Sequence, residues 1–284
     1  MPENDALPSL SFPPATFKKL HPQEYLRRFT TSEVRADGRS LCEFRPTTAN
    51  AGSLSNAFGS AVVRMGNTTV VCGVKGEIAE PDVERPREGW LVPNIELTPI
   101  CSTKFKYGPP GDLAQSLGEK LDTLVKATKA LPLDTLCIEE GKAAWVLYAD
   151  IICLNYDGNV FDAAWMALMT ALEDTRLPVA KWDEDREHAV CSDTETRRLD
   201  VAGKCYASTF GLFDGQYLLA DMDDDEEELV QESVTIVVNS QGRLCNISKG
   251  GGMNLSVETL RECVAMAKRR YAELDDVTQK AKAS

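Results

Sequence analysis

Three aspartates close together in this 284-residue chain could support acid–base or metal chemistry. Asp150 interrupts a long apolar run, and Asp157 and Asp162 follow it on either side of a turn-like segment. Grouped carboxylates can move a proton or bind Mg²⁺. Structural roles are also open, because Asp157 precedes Gly158 as in a turn and Asp162 stands where a helix dipole favours negative charge. Asp150 is the aspartate that these structural roles explain least.

Two further segments could bind phosphate groups. Lys249 precedes Gly250–Gly252, and glycine-rich turns before helices can hold phosphate through backbone N–H groups. The segment lacks the spacing of a P-loop or dinucleotide-binding motif, so a flexible strand-to-helix link is the favoured interpretation. Lys104 and Lys106 flank Phe105, and cations beside aromatic rings suit single-stranded RNA. An ordinary solvated loop is the alternative.

The sequence contains few residues that could form a nucleophilic or metal site. The chain has only two histidines, His21 and His188, and its nine cysteines form no CxxC pair. Cys72 and Cys153 lie in apolar runs, where free cysteine acts as a small buried hydrophobe. We therefore expect no catalytic residue, no metal, no cofactor and a reducing compartment.

The elements that position these residues follow from periodicity and turn signals. Two β-branched runs separated by Gly66 and Asn67 predict a β-hairpin. Asp112 is predicted to start a helix with Gln115 as its capping-box partner. The other elements expected in this half are a helix at 22–29, a strand at 92–100, a bent buried strand at 143–156 and a core helix at 162–173.

The second half repeats the order of strands followed by a helix. Strands are predicted near 205–213, 216–221 and 233–239, and Ser256 is predicted to cap a helix running to about Leu274. The acidic tract at 221–228 is interpreted as a solvated hairpin tip. The fold class is therefore α+β. We expect an N-terminal arm with a short helix at 1–30, a first domain at 31–180, a charged connection at 181–200 and a second domain at 201–284.

Charge limits the binding functions that the chain can have. The net charge is −13, whereas a protein that binds RNA or DNA alone is usually basic. Residues 1–120 carry 14 basic and 14 acidic residues, so any RNA contact should come from loops in this balanced part. The sequence has no run of eighteen apolar residues, so no membrane span is predicted. The first twenty residues do not resemble a secretory signal.

Several segments together resemble the RNase PH family in its eukaryotic exosome branch. They are RADGR at 35–39 with Arg45, TTANAGSLSNAFGSA at 47–61, VRMGNTTVVCGVKGEI at 63–78, GWLVPNIELTPICSTKF at 89–105, GPPGD at 108–112 and WVLYADIICLNYDGNVFDAAWMAL at 145–168. The resemblance runs from about Glu24 to Tyr271 and weakens after Pro178. The fold that it implies is an RNase PH-like pair of ribosomal-protein-S5-domain-2-like units.

Active members of this family use phosphate to attack the last RNA linkage. Their pattern resembles IGRSLR for a phosphate-binding arginine pair and DVIQADGGTR for acidic residues. Here Thr123 and Lys126 stand where the arginines belong, and Ile152 stands at the first acidic position. Asn159, Val160 and Phe161 replace the GTR run. The resemblance therefore implies that the fold is kept and the catalytic set is lost.

We accordingly expect a non-catalytic structural subunit of the eukaryotic exosome ring, a hetero-oligomer that guides RNA through a channel for 3′–5′ processing and decay. The implied partners are other RNase PH-like ring subunits, S1/KH cap subunits and RNA, and the implied processes are rRNA maturation and mRNA turnover in nucleus, nucleolus and cytoplasm. The alternatives are an active phosphorolytic exoribonuclease and a free RNA-binding adaptor. The expected RNA-binding residues are Lys104, Lys106, Arg64 and Lys142, partly because the loop with Lys104 resembles a family loop near the RNA path.

Overall fold

The computed structural model of the chain describes residues 13–252 and 255–283. The expectations for residues 1–12, the first part of the N-terminal arm, lie outside this part of the chain. The helices are α1 Pro14–Leu20, α2 Pro22–Thr31, α3 Asp112–Thr128, α4 Val160–Asp174, α5 Asp224–Glu227 and α6 Val257–Ala283. The strands are β1 Thr47–Ala51, β2 Gly59–Met65, β3 Thr68–Ala79, β4 Trp90–Leu97, β5 Cys137–Glu139, β6 Ala143–Asn155, β7 Arg176–Asp183, β8 His188–Arg198, β9 Cys205–Phe213, β10 Tyr217–Ala220, β11 Glu232–Asn239 and β12 Leu244–Gly250.

The first domain is built on a mixed sheet in the order β1-β2-β3-β6-β4, with β5 also paired to β6. The predicted hairpin is confirmed, since Met65 pairs with Thr68 across the two-residue turn. β4 runs parallel to β6, and the other pairs are antiparallel. The predicted long buried strand is also confirmed as β6, and its irregularity is a register shift against β3 between Thr69 and Val70.

Helix α4 joins the two halves because it is buried on almost every side. One side packs on β2 and β3 of the first sheet, and another contacts β9 of the second sheet, which runs β10-β9-β11-β12. Trp165 is fully buried, and its indole N–H donates to the Cys205 carbonyl of β9 at 2.8 Å. A helix that is apolar all round requires such cover on both sides. The prediction of a central core helix is confirmed.

Four local predictions need correction. The capping box at Asp112 is wrong: Gly111 is the N-cap, and the Gln115 side chain donates to the Pro110 carbonyl instead. The charged connection at 181–200 consists largely of the antiparallel pair β7 and β8. Strand β12 was not predicted, and α6 continues well past Leu274. Ser256 does cap α6, since its hydroxyl accepts from the Thr259 N–H at 3.0 Å.

The acidic tract at 221–228 is not a solvated hairpin tip. Asp221 and Met222 are buried, and Asp223 and Glu226 form a capping box around the short helix α5. A run of acids usually faces water because an ionised carboxylate is costly to bury. This tract is an exception because arginines distant in sequence pair with it. No helix in the described residues is both long enough and apolar enough to cross a membrane.

Candidate functional site

A cleft of about 600 Å³ lies between α3, the turn from β6 to α4, and the second sheet. The helix α3 contributes residues including Glu119, Lys120 and Thr123. The β6–α4 turn and the start of α4 contribute Tyr156, Asn159, Val160 and Phe161, and the acidic tract contributes Glu227. Glu232 adds a further carboxylate from β11. Among the described residues that line this cleft, the charged side chains are therefore three glutamates and one lysine.

The cleft brings together some of the sequence-predicted positions and separates others. Thr123 and the run Asn159–Phe161 line it together. This agrees with the resemblance, in which the motifs at these two places serve one site. Lys126 is not part of the lining and pairs with Asp122 on the exposed side of α3 at 2.5 Å. Ile152 lies on the open face of the first sheet, in a separate groove with Asp150. Asp150 pairs there with Lys75 at 3.0 Å, so its role is an ordinary surface ion pair.

Glu227 stands at the N-terminal end of α4, where backbone N–H groups carry partial positive charge. Its carboxylate accepts from the backbone N–H of Asn159 at 3.3 Å and from the Tyr156 hydroxyl at 3.0 Å. Desolvation raises the pKa of Glu227, and the bonds from Tyr156 and Asn159 oppose that shift. The start of α4 therefore already has an anion next to it, supplied by the chain itself. No sequence signal assigned a role to Glu227 or Tyr156.

A buried network of charges closes the back of the cleft. The Arg45 side chain donates two hydrogen bonds to Asp221, from Nε to Oδ2 at 2.9 Å and from Nη2 to Oδ1 at 2.7 Å. The backbone N–H of Arg45 also donates to Oδ2, at 2.9 Å. Burial alone would raise the pKa of Asp221, but the bonds from Arg45 outweigh burial and lower the pKa to about 2. Arg35 is buried as well and pairs with Glu226.

Asn159 connects this network to α4. Its side-chain amide donates to Asp221 at 2.7 Å and to Asp162 at 2.9 Å. Asp162 also accepts from the backbone N–H and the hydroxyl of Thr209, each at 2.8 Å. Burial raises the pKa of Asp162 to about 6 despite these bonds. Since its partners are all internal, Asp162 holds α4 against β9 and does not face a substrate.

Comparison with known proteins places this architecture in a family. The model of the 3′ exoribonuclease family, domain 1, matches residues 43–178, and domain 2 of the same family matches residues 206–270. The chain belongs to the RNase PH family. Its two sheets on either side of the central helix are the RNase PH fold, so the predicted fold is confirmed.

Relatives and solved structures agree with this assignment. The chain is 47% identical over 262 residues to exosome complex component rrp43 of Schizosaccharomyces pombe, covering 92% of this chain and 97% of that protein. It is 35% identical to exosome complex component Rrp42 of Methanothermobacter thermautotrophicus, covering 88% and 91%. A structure described as the Archaeoglobus fulgidus exosome with RNA bound to the active site aligns with a TM-score of 0.80 at 28% identity, covering 89% of this chain and 96% of that one.

The cations predicted to bind RNA are dispersed in this RNase PH fold. Lys104 pairs with Asp224 at 2.7 Å and with Glu228 at 2.5 Å. Arg64 donates through Nε to the Gly66 carbonyl at 2.8 Å. Lys142 stands near Glu184 at 3.7 Å and 5.7 Å from the centre of the Trp182 ring. Within the part of the chain that the structure describes, Lys106 is exposed and makes neither an ion pair nor a hydrogen bond. The role of all four in RNA binding stays a prediction.

Proposed function

We propose that this chain is a structural, non-catalytic subunit of an exosome ring. Its close relative in fission yeast and its archaeal relatives are named as exosome components, and the solved chains that it resembles are parts of archaeal exosomes. In this role the chain pairs with other RNase PH-like subunits and with S1/KH cap subunits, and RNA passes through the channel that they enclose. The processes served are rRNA maturation and mRNA turnover, in the nucleus, nucleolus and cytoplasm.

The charge of the cleft carries the non-catalytic part of this proposal. Phosphorolysis brings inorganic phosphate beside the phosphates of RNA, so the site must supply cations that neutralise them. The described lining contains Glu119, Glu227 and Glu232 against Lys120, and Glu232 is paired with Lys249 at 2.6 Å, which leaves a formal charge of −1. Thr123 offers only a neutral hydroxyl where an active member has an arginine. A phosphate ion would enter this cleft against net repulsion.

Glu227 adds a second obstacle to phosphate. Backbone N–H groups at a helix start are a common anion site, and here Asn159 N–H already donates to the Glu227 carboxylate. An incoming phosphate would have to displace that carboxylate and remain beside it. Neither Asp221 nor Asp162 can manage a proton for the reaction, because both are buried and bonded within the protein.

The need for partners is supported by the open face of the first sheet. Val92, Tyr148, Ile152 and Leu154 are between 37% and 45% exposed on neighbouring positions of β4 and β6. The Asp150–Lys75 ion pair lies among them. Exposed apolar side chains grouped on a sheet and bordered by polar residues are typical of a surface that another protein covers. This surface favours a chain that works within an assembly over one that works as a free monomer.

A phosphorolysis assay tests the proposal directly. The full-length chain, alone and in a reconstituted ring, is incubated with single-stranded RNA and inorganic phosphate, and nucleoside diphosphates are measured. We expect no release that depends on this chain. The control is a ring carrying Thr123→Ala in this chain, which removes the hydroxyl from the cleft. Diphosphate release that this substitution abolishes would overturn the non-catalytic assignment. Fluorescent fusions at native expression would test the proposed locations.

A further inference from the structure

The loop at 98–111, between β4 and α3, has an inward and an outward side. Lys104 faces the protein, where Asp224 and Glu228 bind its ammonium group. Phe105 also faces inward, with its ring edge-to-face on Tyr156 at 5.2 Å. Lys106 and Tyr107 face outward, and Tyr107 is 85% exposed. Two neighbouring lysines in one loop therefore have different environments.

The inward pair fixes the loop to the body of the protein. The two carboxylates raise the pKa of Lys104 above its ordinary value, although partial burial acts to lower it. Tyr156, which carries the Phe105 contact, donates its hydroxyl to Glu227, and its N–H donates to the Cys101 carbonyl at 3.1 Å. The loop is thus bonded both to the acidic helix α5 and to the turn that precedes α4. A ligand phosphate would therefore have to compete with two carboxylates for the Lys104 ammonium group.

The outward pair has the chemistry of a single-stranded RNA contact. A lysine can bind a backbone phosphate while an adjacent aromatic ring stacks on a base. The loop has no acidic residue between Leu97 and Gly111, although the chain as a whole carries a net charge of −13. The acidic helix α5 lies beside the loop, but Lys104 offsets part of its charge through the pairs with Asp224 and Glu228. By contrast, Arg64 and Lys142 already interact with groups of the chain itself.

We propose that Lys106 and Tyr107 bind single-stranded RNA, through a backbone phosphate and a stacked base, and that Lys104 is a positioning residue that holds the loop on α5. This inference rests on the proposed function, because the RNA reaches the loop in the assembled ring. It assigns different roles to two lysines that local sequence treats alike. RNA binding by this loop should not depend on the base sequence of the RNA, because phosphates and the faces of the bases carry little base identity.

The test compares Lys104→Met with Lys106→Met in reconstituted rings that contain the full-length chain. Both substitutions remove one positive charge from the same loop, so each is the matched control of the other. Affinity for a fluorescent single-stranded uridine oligomer is measured against salt concentration. Lys106→Met should reduce the salt slope by about 0.7, the value for one phosphate contact on a single strand. Lys104→Met should leave the slope unchanged and should increase hydrogen exchange in residues 98–111.

Tyr107→Ala and Tyr107→Phe test the stacking. The alanine variant should bind RNA about tenfold more weakly, within the range measured for one lost base–aromatic stack. The phenylalanine variant keeps the ring and should bind like the natural protein. Equal affinity for both variants would overturn the stacking role.

Three other outcomes would overturn the inference as a whole. Lys104→Met could reduce the slope as much as Lys106→Met, which would make Lys104 an RNA ligand. Unchanged slopes for both lysine variants in intact rings would make the loop ordinary surface. Loss of ring assembly in Lys106→Met or Tyr107→Ala would make the loop a protein interface. None of these results affects the non-catalytic assignment, which depends on diphosphate release and not on RNA affinity.

Discussion

Replacing Asp221 with asparagine tests whether the buried charge network holds the two domains together. Asp221 is 1% exposed and accepts three bonds from Arg45 and one from Asn159. The substitution removes the negative charge and leaves Arg45, itself 5% exposed, without its partner. Breaking a buried pair in this way costs about 3–5 kcal/mol. The depressed pKa gives a second figure, since a fall from 3.8 to about 2 corresponds to roughly 2.5 kcal/mol.

The assay is thermal unfolding of the full-length chain co-purified with a ring neighbour. For a chain of this size about 3 kcal/mol lowers the melting temperature by roughly 5 °C. Asp150→Asn is the matched control, because Asp150 forms a half-exposed pair with Lys75 at 3.0 Å. A surface pair contributes about 1 kcal/mol or less, so this variant should melt within about 2 °C of the natural protein. Equal shifts for the two variants would refute the reasoning.

The pH dependence provides an independent check on Asp221. A carboxyl whose folded pKa is depressed contributes stability above its unfolded pKa and loses it as pH falls through the folded value. The contribution of Asp221 is therefore complete above pH 3.8 and declines towards a pH of about 2. In the Asp221→Asn variant, the melting temperature should fall less steeply over this interval. A profile with the same slope as the natural protein would contradict the pairing.

Three further outcomes are expected. Gly158→Ala should cost more than about 3 kcal/mol and reduce soluble yield, because φ is +70° and an added Cβ would lie 2.5 Å from the Asp223 carbonyl carbon. Gly118→Ala on α3, where an added Cβ would make only an ordinary contact with Ile95 Cγ2 at 3.9 Å, should be neutral or slightly stabilising, and equal yields would count against the close approach. The pKa of Asp162 is raised to about 6, so the folded state binds more protons than the unfolded state between pH 3.8 and 6, and stability falls as pH rises through that interval. Asp162→Asn should therefore flatten the decline in melting temperature with rising pH. An unchanged profile would exclude the raised pKa. The isolated chain should aggregate when it is purified without a partner. Light scattering and calorimetry check this, and a monodisperse monomer with a cooperative melt would show that the chain needs no partner to stay folded.

Local signals in the sequence were sufficient for most of the elements. Gly66 and Asn67 between β-branched runs specify a hairpin, and a helix that is apolar all round must lie in the core. Strands β8 and β12 were missed because their residues are mostly polar and exposed, so alternation gives little signal. Strand β7 was missed because Pro178 interrupts its pattern. The helix cap at Gly111 was misassigned by one residue, which is the usual uncertainty of an element boundary.

The candidate site was harder to predict because its parts meet only in the folded chain. The resemblance singled out Thr123 and Asn159–Phe161 in the sequence, and the structure places them in one cleft. Glu227 stands in an acidic run that is held in place by Arg35, 191 residues before Glu226, and by Arg45, 176 residues before Asp221. Asp223 and Glu226 have the spacing of a capping box, which was the local signal that part of the run is a helix.

The position of α4 between two sheets has a consequence for synthesis on the ribosome. The helix ends at Asp174, but β9, which covers its second side, is complete only at Phe213, roughly 40 residues later. At about 5–20 residues per second, the nascent chain carries an uncovered apolar helix face for about 2–8 s. During that interval the first domain cannot reach its final packing, so its nascent form is a substrate for chaperones that bind exposed apolar segments. A ribosome stalled between these two points would display a first domain that is folded on one side only.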